Sequence, residues 1–161
     1  MKGVVWVLVC GAVAALGAGC SSTGGSGGPE TVYFLVSCPE GAPEPVPDSY
    51  VLPLTDLDDI AHARALIEDP SGAGARIALA RIARGSSDGT HVNRNLSEDG
   101  SAWSWHCTGD VEFVDSSAEI YDVTPAYLEE HLDEWLELIG PFIGPWSYTV
   151  TRELAYDDVR P

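Results

Sequence analysis

The chain has 161 residues, 25 acidic against 8 basic side chains, a formal net charge of −17 and 45% hydrophobic residues. That length accommodates one domain with its own core. The charge repels phosphate backbones and anionic headgroups, so it excludes nucleic-acid binding and electrostatic membrane adhesion as primary roles. Solubility, a cationic partner or divalent ions remain as its uses.

At the start, Met1 and Lys2 give a minimal positive segment, Val4 to Leu16 an uncharged apolar run, and Gly17-Ala18-Gly19 a small-residue site before Cys20. This is the layout of a secretory signal, too short and too rich in Gly and Ala for a membrane span. The sequence Leu16 to Cys20 resembles a bacterial lipobox, although its leucine lies four residues before the cysteine rather than three. Cys10, inside the apolar run, is the weaker candidate, and an ordinary secreted protein is the alternative. The resemblance implies cleavage before Cys20, acyl chains of the palmitate type on its thiol and new N-terminus, and anchoring by several chains at once. Ser21 in second place, rather than Asp, favours the outer membrane by analogy with envelope lipoproteins. The expected division is a signal peptide over 1–19, a Gly/Ser-rich tether over 20–30 and an α+β domain over 31–161. Loss of Lys2 leaves seven arginines against all 25 acidic residues.

Thr31 to Cys38 is almost wholly apolar, aromatic or β-branched and predicts a strand covered on both faces. The proline-rich run PEGAPEPVPD predicts an extended loop, and Ser49 to Leu54 a return strand. A helix starts at Thr55 with Asp58 three positions on, like a capping box, and ends at Pro70. Its wheel groups Leu57, Ile60, Ala63 and Ile67, with Arg64 inside that arc and His62 facing solvent. Arg76 to Arg84 reads as a strand, and Gly85 to Gly100 as a mobile loop containing His91.

Trp103 to Cys107 predicts a strand with Trp103, Trp105 and Cys107 on one face and Ser104 and His106 on the other. A turn at Thr108-Gly109-Asp110 leads to one strand, or two, over 111–123. Thr124 caps a second helix with Pro125 at its first position, and Gly140-Pro141 stops it. Leu128, Leu132, Trp135, Leu136 and Ile139 form its apolar stripe. Alternation from Trp146 to Leu154 predicts the last strand. The order ββαβββαβ defines a single small α+β domain with an antiparallel or mixed sheet.

Cys38 and Cys107 each close an apparent strand, and an oxidising envelope favours a bridge between them. Loop entropy would give such a bridge roughly 4 kcal/mol. A zinc pair lacks the CxxC spacing, and no metal or cofactor is implied.

His106 and His131, the latter among Glu130, Asp133 and Glu134, are candidates for acid–base chemistry or a transition metal. Yet HExxH is absent, and a histidine hydrogen-bonded between helix and sheet is the favoured reading. Arg64, if buried, needs an acidic partner, with the second-helix carboxylates or Asp122 as candidates for a structural ion pair and a substrate clamp as the alternative. Trp103, Trp105 and Trp146 are core or an aromatic shelf for glycan or peptide. Ser104 and Ser147 lack the GxSxG elbow of a hydrolase, and GAGAR lacks the lysine of a phosphate loop.

The motifs AHAR (Ala61 to Arg64), WSWH (Trp103 to His106), EEHLDE (Glu129 to Glu134) and PWS (Pro145 to Ser147) occur in an order that resembles one family. Its members are small secreted domains of bacteria and some eukaryotic microbes. They carry AHAR, WSYH or WSFH, EHLDEV and CPWSS in turn. The resemblance spans roughly residues 31 to 154 and implies fold and site placement, not a reaction. In that family a cysteine precedes the second helix and another opens CPWSS; here Tyr121 and Gly144 stand there, as if one disulfide had been lost as a unit. The expectation is therefore a monomeric, non-enzymatic, lipid-anchored envelope module for a protein, peptide or glycan ligand. The alternatives are a metal-dependent or hydrolytic enzyme using His106 and His131, and an inhibitor of a secreted protease.

Overall fold

The computed structural model describes residues 30–44 and 46–161. The expected signal peptide, Cys20 and nearly all of the tether lie outside the described residues. Strands β1 (Val32–Ser37) and β2 (Ser49–Leu54), helix α1 (Leu57–Glu68), strands β3 (Ile77–Arg84) and β4 (Trp105–Val114), helix α2 (Pro125–Leu138), strands β5 (Phe142–Ile143) and β6 (Thr149–Leu154) and helix α3 (Tyr156–Val159) follow in order. They form two antiparallel three-stranded sheets, β2-β1-β6 and β4-β3-β5. This is the expected α+β domain, with its sheet divided in two.

β1 is buried on both faces, as its composition requires. Phe34 and Val36 enter the main core with Tyr50, Leu52, Trp103, Trp105, Leu128 and Trp135. Tyr33 and Leu35 face a second cluster with Val51, Leu154 and Val159. α3, which the sequence pattern does not announce, supplies Val159 as part of the lid on that second face.

The segment 85–102 is not the mobile loop expected from its Ser, Asp, Asn and Gly content. His91, Val92, Asn93 and Asn95 are buried, and its polar side chains replace a missing strand along the outer edge of β2. The Asn93 carboxamide accepts from Val51 N–H at 2.8 Å and donates to Trp105 C=O at 3.0 Å. Its backbone donates to Ser86 and accepts from Trp103 N–H. Asn95 accepts from the Ser49 hydroxyl, and the Trp103 indole N–H donates to Ser49 C=O at 2.8 Å. An exposed sheet edge invites pairing with another chain; here it is covered.

Several local expectations are corrected. α1 is capped by Asp56, which accepts from Asp58 and Asp59 N–H, rather than by Thr55. Its buried line is Ile60, Ala63 and Leu66; Leu57 is 78% exposed. Thr108-Gly109-Asp110 is a bulge within β4, because Ala80 pairs with Val111 but Ile82 with Cys107. Gly109 takes φ +86° there. The last strand starts at Thr149, so Trp146 precedes it.

The expected Cys38–Cys107 bridge is absent: both cysteines are free. β1 neighbours only β2 and β6, whereas β4 neighbours β3, so the two residues do not sit on adjacent strands. Burial of Cys107 in the main core raises its thiol pKa, which keeps it protonated and inert.

Asn93→Ala strands Val51 N–H and Trp105 C=O in the interior. Each such orphan costs about 1–3 kcal/mol, so urea unfolding should show a loss of about 3 kcal/mol. A loss below about 0.5 kcal/mol would mean that the clamp is dispensable.

Candidate functional site

The residues singled out from sequence divide among five places. Arg64 is exposed on α1 and forms a bidentate pair with Glu153 on β6, at 2.8 and 2.9 Å. Its partner is neither an α2 carboxylate nor Asp122, and its arc lies outside the core. Trp103 and Trp105 are core side chains, stacked at 6.2 Å between centroids, with Trp105 also against Tyr50. They cannot serve as a shelf.

Ser104 gathers with Glu130, His131 and Glu134 around an open groove of about 320 Å³, lined also by Glu129 and Asp133. Ser104 donates both its N–H and its hydroxyl to Glu129 Oε2. Arg84 pairs with Asp133. Between these two tethers α2 breaks at His131, whose φ of −121° and ψ of 17° are not helical. At this break His131 Nδ1–H donates to Tyr127 C=O at 2.9 Å, the acceptor that its own backbone N–H would use in a regular helix. The ring stacks on Tyr127 at 4.2 Å. His106 is not among the residues lining this groove.

His106 turns instead toward His91, with ring centroids 6.1 Å apart. His106 Nδ1–H donates to Gly85 C=O at 2.7 Å. A carbonyl only accepts, so Nδ1 carries the proton. His91 is fully buried, its Nδ1 3.2 Å from Asp88 Oδ1 and its Nε2 without a partner. Desolvation holds the His91 pKa below its ordinary value, against the pull of Asp88 and with the help of His106. Asp88 is pulled up by desolvation, but hydrogen bonds from Thr90 and the nearby His91 bring it down to about 2. No group of three or more His, Cys, Asp or Glu side chains able to hold a metal occurs among the described residues.

The fifth place is a cleft of about 270 Å³ lined by Gly74, Arg76, Ile77, Asp115, Ser116 and Trp146. Trp146 is 42% exposed yet fixed. Its backbone N–H donates to Asp122 Oδ1 at 2.7 Å and its indole N–H to Ser117 Oγ at 2.8 Å. The Ser117 hydroxyl in turn donates to Gly144 C=O. Across the cleft Ala75 has φ +35°, the single non-glycine residue with positive φ among the described residues. Such a backbone costs about 1–3 kcal/mol and persists only where neighbours over-determine it. Here Asp115 Oδ1 accepts from Ala75 N–H at 2.8 Å, and His62 Nε2–H donates to Ala75 C=O at 3.0 Å. His62 therefore faces Phe113 and this turn rather than solvent. Ser147 is exposed next to Trp146.

Sequence reasoning picked out Trp146 but missed its companions. Asp115-Ser116-Ser117 reads only as a strand break, and nothing in GAGAR marks Ala75 as strained. Tyr121 and Gly144 lie together: Gly144 N–H donates to Tyr121 C=O at 3.0 Å.

A small α+β domain with two antiparallel sheets and an edge clamped by an asparagine-rich loop is thus the class that the geometry defines. The sequence model of the BP-74 N-terminal domain family matches residues 30–157, and the chain belongs to that family. No curated protein and no protein of solved structure matches it significantly.

Two outcomes follow. The folded-state pKa of His91 is depressed, so its stabilising contribution is complete above about pH 6.5 and is lost as pH falls toward the folded value. Asp88 adds a second loss as pH drops from its ordinary carboxylate range toward 2. Urea midpoints should therefore fall between pH 7.5 and 5.5, and His91→Gln should flatten that interval; an unchanged slope would remove His91 as the cause. Secondly, Tyr121→Cys with Gly144→Cys should close a disulfide on oxidation. A new Cβ at Gly144 meets Leu79 at 3.1 Å and Ser117 at 3.2 Å, so the gain should fall below the roughly 3 kcal/mol of an unstrained loop of this size. Two free thiols after oxidation would show that the positions cannot be bridged.

Proposed function

We propose that this chain is a lipid-anchored envelope domain that binds a ligand without transforming it, with the Trp146 cleft as its contact surface. The anchor reading rests on the order of signal-like residues, Cys20 and a Gly/Ser tether ahead of the domain. The binding reading rests on one observation: Trp146 is held open to solvent by two hydrogen bonds, over a turn kept in a costly conformation. An exposed aromatic with fixed orientation loses little entropy on meeting a ligand, which is the advantage of a pre-formed binding surface. The candidate titratable groups support binding over turnover. The His91 ring is sealed from solvent, His106 meets it rather than His131, and His131 is engaged by its own helix.

Cys20→Ser should move the protein from the membrane pellet to the soluble fraction, and wild type should carry a fatty adduct on its N-terminal peptide by mass spectrometry. Soluble Cys20→Ser protein should bind isolated envelope material, and Trp146→Ala should weaken that about tenfold, or about 1.4 kcal/mol. Wild-type protein free of acyl chains in the medium would remove the anchor, and equal retention of the Trp146→Ala protein would remove the cleft.

A further inference from the structure

We propose that the Trp146 cleft is a saccharide site that takes an uncharged pyranose, an inference that rests on the binding reading above. The Trp146 indole N–H is already given to Ser117, so its exposed surface offers no further hydrogen bond. What it presents is an apolar, polarisable face, the complement of the C–H face of a sugar ring. Around that face stand a donor fork and acceptors. Arg76 has no ion-pair partner among the described residues. Asp115 uses Oδ1 for Ala75 N–H and retains Oδ2. Ser116 adds a hydroxyl at the rim. Vicinal hydroxyls, each both donor and acceptor, match a guanidinium beside a carboxylate better than any single charged group does.

Charge narrows the class. Arg76 and Asp115 cancel inside the cleft, while the whole chain carries −17. That field opposes acidic glycans. The cleft, at about 270 Å³, lies below the range of pockets for drug-sized ligands, so it holds one ring of a chain that can continue into solvent. The turn that precedes Arg76 is braced on both backbone groups of Ala75, by Asp115 at its N–H and by His62 at its C=O.

The test uses the full chain as Cys20→Ser with neutral gluco-, manno- and N-acetylglucosamine oligosaccharides as probes. Uronic-acid oligosaccharides and short aromatic peptides form the comparison arms. Indole N–H shifts in NMR report on Trp146 directly. One or more neutral sugars should shift the Trp146 signal with a Kd on the order of 1 mM. Trp146→Ala, Arg76→Gln and Asp115→Asn should each weaken binding about tenfold, whereas Trp146→Phe, which keeps an aromatic face, should retain most of it. Thermal melts of each variant separate lost binding from lost fold. The proposal is overturned if sugar binding survives in folded Trp146→Ala, if only uronates or peptides shift Trp146, or if no probe does. Trp146-dependent retention on envelope material that neutral sugars do not compete would overturn the saccharide assignment while leaving the binding reading intact.

Discussion

A single buried carboxamide holds the two halves of this fold in register. Asn93 reaches β2 of one sheet with its oxygen and β4 of the other with its nitrogen, and its backbone is bonded on both sides. Because the sheets share no strand, their relative position depends on core packing, which is tolerant, and on this polar junction, which is not. A buried amide satisfied on both ends specifies one arrangement, since sliding either sheet would leave an orphan in low dielectric. The neighbouring contacts of Asn95 and Trp103 to Ser49 extend the same logic along the β2 edge.

That junction carries a cost beside it. His91 lies fully buried within the same loop with Nε2 unpartnered, and Trp105 Nε1 and Tyr50 OH in the core also lack partners. Burial without a hydrogen bond is unfavourable for each. The two sheets thus close over polar atoms they do not satisfy, and the loop tolerates this because its asparagines are satisfied. Neutral His91 is tolerable in that setting; protonated His91, facing His106 and sealed from water, is much less so.

The domain class and its main segments were legible because they depend on periodicity. β1, β2, β3 and both long helices follow directly from apolar spacing, and Thr124-Pro125 marks the start of α2 by capping chemistry alone. What escaped was set by partners distant in sequence. Asn93 and Asn95 belong to a composition that elsewhere gives mobile loops, and only the β2 edge, some forty residues earlier, makes them structural. Arg64 found Glu153, 89 residues away, because α1 is rotated slightly from the arc that an ideal wheel draws. Cys38 and Cys107 each end or enter a strand as read, but strand ends say nothing about which sheet each strand joins. The Trp146 cleft was half legible: an aromatic after Gly-Pro stands out, whereas its bracing serines and aspartates resemble any turn.

The rigid and the open parts of the molecule also differ in how they use hydrogen bonds. Around Asn93 the bonds close on backbone groups that would otherwise be stranded, so they are the minimum that a buried edge requires. Around Trp146 the bonds hold groups that water could satisfy: an exposed indole, an exposed backbone N–H, and a turn whose strain a different conformation would relieve. Water competes well for such groups, and the net gain from each bond is about 1 kcal/mol or less. Together they roughly offset the cost of Ala75, so net stability alone does not account for the arrangement. Orientation does: the same bonds that add little to folding fix the plane of Trp146 and the conformation of the turn that leads into Arg76.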